Sequence, residues 1–237
     1  MKPLKKMTKT QFAVFFLMSI CSGLTIGIGG TAALTANATY ETWGKLIGAA
    51  LFTIGIYAII IYEMRLFTGM VSSIPNMGWK NSWQLGVCFI GNTVGVAIIA
   101  VLVYFTPLAD MVIPQAKALA TAKLSADNWA ISSLASSILC GLLITLSVWS
   151  VNHATKKNLS TTLGVLFPIA VFAFCGFDHS VANMLYFIFL GKISWKIVGY
   201  CLLCIVGNIL GGIILPYISL LKEKSTQQKD SSETTEN

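Results

Sequence analysis

The chain has 237 residues, of which 55% are hydrophobic and 11% charged, and its mean hydropathy is +0.75. Soluble domains carry about 25% charged residues, so this composition excludes one and implies a single integral membrane domain. The net charge of +7 would suit a polyanion, but the lysines lie at the termini and between apolar runs, with no aromatic-interleaved basic stripe. They read as the positive flanks that orient helices in a bilayer, and no nucleic-acid partner is expected.

An apolar helix needs about 20 residues to cross the hydrocarbon core. An N-terminal segment, 1–10, carries Lys2, Lys5, Lys6 and Lys9, and the first span then runs from about Gln11 to Leu34. A basic start, an apolar run and Ala36-Asn37-Ala38 also fit a signal peptide. The stretch is long and glycine-rich, however, and the repeat described below needs it, so it is read as a span. The second span runs from about Lys45 to Tyr62 and continues, interrupted, to about Ile74; the third covers about Trp83 to Phe105. A polar connection with Pro107, Pro114, Lys117, Lys123 and Asp127 follows. The fourth span runs from about Trp129 to Val151. The fifth starts near Ser160, breaks around Cys175 to His179, and resumes to Leu190. The sixth covers about Trp195 to Leu221, and 222–237, without apolar residues, is expected to be a disordered tail. Trp43, Trp79, Trp83, Trp129 and Trp195 mark span ends, as an aromatic belt would.

With the N-terminus inside, ten lysines flank inner ends (Lys2, Lys5, Lys6, Lys9, Lys80, Lys156, Lys157, Lys222, Lys224, Lys229) and five flank outer ones (Lys45, Lys117, Lys123, Lys192, Lys196). This bias predicts that both termini are cytoplasmic, in a cell membrane. The six cysteines all lie in apolar stretches and read as small hydrophobes. Cys201-x-x-Cys204 has no second pair and no neighbouring histidine, so no metal or cofactor is expected.

The most informative feature is a repeat. Cys88-Phe-Ile-Gly91-Asn92-Thr-Val-Gly95 in the third span matches Cys204-Ile-Val-Gly207-Asn208-Ile-Leu-Gly211 in the sixth, 116 residues later. The spans just before each, the second and fifth, are the two with polar breaks. The membrane domain, 11–221, therefore divides into 11–105 and 129–221. Three spans per half, an odd number, force the halves into opposite orientations, the inverted-repeat plan of many transporters. Gly-x-x-x-Gly in both copies is also a close-packing face. Backbone groups freed by a break cost several kcal/mol each in lipid, so matched breaks imply a polar cavity between them. Freed amides and helix N-termini turned toward it favour anions.

The first break holds Glu63, Arg65, Leu66, Phe67 and Thr68; the second holds Asp178, His179 and Asn183. Charged groups at such depth are costly and usually functional. Histidine titrates near neutral pH, which suits handing a proton to a weak-acid anion. His153, beside Lys156 and Lys157, belongs to an inner loop.

At these segments the chain resembles the formate/nitrite transporter family. The residues that carry the resemblance are Leu66-Phe67-Thr68-Gly69 and Gly176-Phe177-Asp178-His179-Ser180-Val181-Ala182-Asn183-Met184. Gly27-Ile-Gly29-Gly30, the stretch from Ile138 to Trp149, and both Gly-Asn-x-x-Gly segments fit as well, so it covers Phe12 to Leu221. The resemblance implies an aquaporin-like protomer, all α-helical, in a homopentamer whose central axis does not conduct. It implies small monovalent anions as substrates: formate, nitrite, hydrosulfide, acetate or lactate. Carried over by position, Leu66, Phe67 and Thr68 form the loop of the broken second span, and His179 is the central pore histidine with Asn183 one turn on. Phe52, Ile56, Ile144 and Phe172 fall at the family's apolar constrictions, and Lys123 at its anion-attracting lysine.

Three departures stand out. Arg65 precedes Leu-Phe-Thr where relatives carry an acidic or small polar residue, so a Glu63–Arg65 or Asp178–Arg65 pair is expected to neutralise the site, or Arg65 to raise anion affinity. Gly141 stands where many relatives carry Asn, which would remove one polar pore group. The short N-terminus lacks the amphipathic segment some relatives use in gating. A neutral-solute channel of similar fold would need paired Asn-Pro-Ala motifs at the breaks, and an enzyme would need a His-Glu-x-x-His cluster, a Gly-x-Ser-x-Gly elbow or paired aspartates. The sequence has none of these.

Overall fold

The computed structural model describes residues 7–78, 81–155 and 158–235, with side chains through Gln227. Lys2, Lys5, Lys6, Trp79, Lys80, Lys156, Lys157 and the side chain of Lys229 lie outside the described residues. The described chain is helical throughout: α1 Lys9–Thr39, α2 Gly44–Ile61, α3 Phe67–Val71, α4 Ile74–Met77, α5 Trp83–Tyr104, α6 Ala109–Ser125, α7 Trp129–Asn152, α8 Leu159–Cys175, α9 Ser180–Leu190 and α10 Trp195–Thr235. Six stretches are long and apolar enough to cross a membrane, with α8 and α9 together making the fifth. Trp83, Trp129 and Trp195 each open a helix and Trp43 stands just before α2, at the level where amphipathic rings favour the interface.

Local chemistry sets the ends. Thr8 and Gln11 close a capping box at the start of α1, each side chain accepting the other's backbone N–H at 3.2 and 2.9 Å. α2 stops where Glu63 turns into the left-handed region at φ 51, a conformation unfavourable for a residue with a Cβ. α8 stops at Gly176, φ 76, where glycine adopts that conformation without steric cost.

The two halves pack alike. α1 lies along α2 and α5, and α7 along α8 and α10, while the short helices cross over: α3 meets α10 and α7, and α9 meets α5 and α1. Glycines make the closest approaches. A Cβ on Gly95 would fall 2.1 Å from the Ile20 carbonyl oxygen, and one on Gly211 1.9 Å from that of Ile138. Gly95→Ala and Gly211→Ala are therefore expected to wedge apart their helix pairs and abolish recovery of monodisperse protein by size exclusion in detergent. Gly86→Ala, whose Cβ would meet nothing within 4 Å, should behave as wild type.

Two segments differ from the sequence reading. The connection after Phe105 contains a helix, α6, whose buried stripe is Val112, Ala116 and Ala120. Pro107, Pro114 and the lysines mask this four-residue spacing in the sequence. The tail from Lys222, expected to be disordered, continues α10 to Thr235. No glycine or proline follows Pro216, and Leu, Lys, Glu and Gln, all good helix formers, dominate the segment nearest the span, so nothing terminates the helix there.

Candidate functional site

The two repeated asparagines build the site. Asn92 is fully buried. Its Nδ2 donates to Arg65 O and Ser19 O, both at 2.8 Å, and its Oδ1 accepts from Phe67 N at 2.8 Å. Asn208 does the same in the other half: Nδ2 donates to Asp178 O and Ser137 O, both at 2.9 Å, and Oδ1 accepts from Ser180 N at 2.9 Å. Cys88 Sγ donates to Arg65 O at 3.2 Å and Cys204 Sγ to Asp178 O at 3.4 Å. Arg65 and Asp178 are thus equivalent positions whose carbonyls, freed by the breaks, are satisfied from the next span of their own half. That is the requirement an interrupted span must meet in a membrane.

The tethered breaks bring Thr68 and His179 together. Thr68 Oγ1 lies 2.8 Å from His179 Nε2, and both residues are buried to about 1% exposure. His179 Nδ1 is occupied by the backbone: it accepts from Ala182 N at 3.0 Å and caps α9. An acceptor Nδ1 leaves the ring's hydrogen on Nε2, pointing at Thr68. Thr68 Oγ1 therefore accepts from the ring, and its own hydrogen is free for another partner. Phe172 stacks on the imidazole at 5.7 Å between centroids and meets Phe52 edge-on at 5.6 Å.

A cavity of about 480 Å³ opens above this pair, at the end of the bundle where α1 finishes and α2 begins. Phe52, Phe172, His179 and Asn183 line its inner part, and Lys45, Glu41 and Lys123 line it further out. Ile56 and Ile144 belong to the same buried apolar cluster as the two phenylalanines. All four apolar candidates are at most 4% exposed, so none faces lipid. Leu66 and Phe67 are buried too, and the Phe67 ring packs edge-on against Phe89.

The charge site differs from the expectation. The cation on Asp178 is Lys123, Nζ to Oδ1 at 2.5 Å, and not Arg65. Asn183 Nδ2 also donates to Oδ1 and Tyr200 OH to Oδ2, each at 2.8 Å. Asn183 thus joins the carboxylate network instead of the Thr68–His179 pair. Glu63 and Arg65 line a separate pocket of about 420 Å³ beside Thr10, Gln11 and Met18. Tyr200 carried no signal in the sequence: it lies in a continuous apolar helix, and its partner is 22 residues away. Gly141 is also corrected. A Cβ there would fall 2.3 Å from Asn208 O, so the position faces the backbone of α10. It accommodates no side chain, polar or otherwise, and no pore group is lost at it.

Two interrupted spans, crossing between halves and meeting at a buried polar pair under an open cavity, are the construction of a membrane channel or transporter. Residues 2–221 match the sequence model of the family described as Formate/nitrite transporter, and the chain belongs to that family. Membership places it among transport proteins and not enzymes. Among its relatives are an uncharacterized transporter, YrhG, of Bacillus subtilis, 28% identical over 81% of this chain and 77% of that one, and a probable formate transporter of Methanothermobacter thermautotrophicus, 28% identical over 91% and 92%. Formate channel FocB of Escherichia coli is 24% identical over 76% of this chain and 67% of that one. Two solved structures share the fold. One, described as an FNT family ion channel, has a TM-score of 0.75 and 23% identity, covering 89% of this chain and 90% of its own. The other, a pentameric formate channel with formate bound, has a TM-score of 0.74 and 20% identity, covering 93% and 100%.

Proposed function

We propose that the protein is a channel for small monovalent weak-acid anions of the formate and nitrite type. It works as a homopentamer in the cell membrane with both termini cytoplasmic, so that the cavity above His179 is the outer vestibule. The observation that carries this reading is the 2.8 Å Thr68–His179 contact joining the two breaks. It leaves one hydroxyl hydrogen to offer where an apolar constriction, Phe52 and Phe172, adjoins. The relatives named as formate channels and transporters support the substrate class.

A bare carboxylate meeting apolar walls pays a large desolvation penalty, and its neutral acid pays far less. The free Thr68 hydroxyl donates to the substrate oxygen midway, backed by the ring N–H of His179. The imidazole itself is a poor proton donor here. A second ring proton would sit on Nδ1, against the Ala182 N–H, and would break the cap of α9. The proton that neutralises a weak acid therefore comes from water in the vestibule, and His179 holds Thr68 in place. Lys123 donates into the same vestibule wall, with its charge balanced by Asp178.

Flux into proteoliposomes tests the reading, with formate, nitrite, hydrosulfide, acetate, lactate and chloride offered at a mildly acidic and a mildly alkaline pH. Selective passage of weak-acid anions, faster on the acidic side, is the expected result and identifies the preferred substrate. Rapid water or glycerol movement without anion flux would replace it with a neutral-solute channel.

A further inference from the structure

The vestibule holds two cations in different circumstances. Lys123 has a side chain only 18% exposed and is paired with Asp178. Its positive charge is compensated at contact distance, and little of it projects toward solvent. Lys45 is exposed at the mouth of the same cavity. Its ammonium lies 5.3 Å from the centroid of the Phe174 ring. A ring face holds a cation through its quadrupole without cancelling the charge, so Lys45 keeps a full positive charge at the rim of the cavity it lines. Glu41, exposed on the same rim and lining the same cavity, makes no ion pair with Lys45. The two stand as separate, opposed charges.

We propose that Lys45, and not Lys123, is the charge that gathers the anion at the vestibule, and that Glu41 is the opposing charge that limits its pull. The proposal rests on the anion-channel reading above. It assigns recruitment to the start of α2 and leaves Lys123 a positional role, holding α6 to the loop before α9 through Asp178. Fields of this kind raise the local concentration of an oppositely charged solute and are screened by salt over about 10 Å at 0.1 M. The signature is therefore a change in flux at low anion concentration that salt removes, with the saturated rate untouched.

The experiment measures initial formate flux in proteoliposomes against concentration, at low and high ionic strength, for wild type, Lys45→Gln, Glu41→Gln, the double variant and Lys45→Arg. Lys196→Gln serves as control, because Lys196 is likewise held over an aromatic ring, that of Trp129, but does not line the cavity. At low salt, Lys45→Gln should raise the half-saturating concentration about two- to fivefold and Glu41→Gln should lower it by a similar factor, as one partly screened charge would. The double variant should fall near wild type, Lys45→Arg and Lys196→Gln should match it, and all curves should converge at high salt. Equal half-saturation for wild type and Lys45→Gln would overturn the proposal, as would shifts of the same sign at Lys45 and Glu41. So would a defect confined to the saturated rate and indifferent to salt. Wild-type protein that passes no anion would overturn the channel reading itself, whereas anion flux insensitive to both residues would overturn this inference alone.

Discussion

Replacing Thr68 with valine should lower anion flux about tenfold or more, while the melting temperature in detergent stays within a few degrees of wild type. Valine keeps the branched shape of the buried side chain and removes only the hydroxyl. Two things are lost at the crossing point: the hydrogen offered to the substrate, and the acceptor that satisfies the His179 ring N–H at 2.8 Å. A buried donor without a partner costs about 1–3 kcal/mol, and each 1.36 kcal/mol added to a barrier is a factor of about ten in rate. The fold suffers less than the flux, because a loss of about 1 kcal/mol shifts the melting temperature of a domain of this size by only about 2–4 °C, whereas the same amount added to a barrier is about fivefold in rate. Thr68→Ser, which restores the hydroxyl, should recover most of the flux.

His179→Asn separates the positional role from a proton-donating one. Asparagine retains an oxygen able to cap α9 but cannot carry a titrating proton. If the proton comes from vestibule water, the variant transports more slowly yet keeps the wild-type dependence on pH, which belongs to the substrate. Loss of that dependence in His179→Asn, with formate as substrate, would return the proton to the imidazole. An unchanged rate in His179→Phe would remove the residue from the mechanism altogether.

The breaks were legible in the sequence because lipid makes them so. A run such as Glu63 to Thr68 or Gly176 to His179 is intolerable inside an apolar span unless something satisfies it, and the repeated Gly-Asn-x-x-Gly of the next span supplies the means. The hydrogen bonds of Asn92 and Asn208 follow from that logic, although Ser19 O and Ser137 O as their further acceptors do not. Other features depended on folding together segments far apart in the chain. The pairing of Lys123 with Asp178 bridges 55 residues, whereas the pattern of charged breaks pointed to Arg65 as a partner for Asp178 or Glu63, and the cation on Asp178 is not Arg65. Arg65 lines the pocket beside Thr10 and Met18, apart from the cavity that Lys123 lines. Gly141 misled for a different reason. Resemblance aligns positions along a helix but does not say which face each presents, and here the glycine is required by the approach of α10. The helix α6 stayed hidden because its buried face is mostly alanine, which gives hydropathy patterning little contrast.

Asn208→Leu should have the opposite profile from Thr68→Val, a large loss of stability from which loss of flux follows. Leucine keeps the branching and heavy-atom count of asparagine, so side-chain shape alone predicts a modest change. The hydrogen bonds decide otherwise. Asn208 makes three, to Ser137 O, Asp178 O and Ser180 N, in a position with no solvent exposure. Interhelical hydrogen bonds in membrane proteins average about 0.6 kcal/mol each, which would make the loss slight. That average holds where the freed groups find other partners, however; the carbonyl of Asp178 would keep only the weak Cys204 Sγ donor, and the amide of Ser180, at a break in the helix, has no turn of its own to fall back on. The cost should approach that of unsatisfied buried groups, about 1–3 kcal/mol apiece, and exceed about 3 kcal/mol in total. Asn92→Leu should cost a comparable amount, because its three bonds repeat those of Asn208 in the other half. Thermal or denaturant unfolding in detergent measures both. A melting temperature equal to wild type in either variant would mean that the repeated asparagines do not hold the breaks. The meeting of Thr68 with His179 would then need another cause. Large losses in both, beside a stable but inactive Thr68→Val, would separate the residues that hold the pore together from those that act on what passes through it.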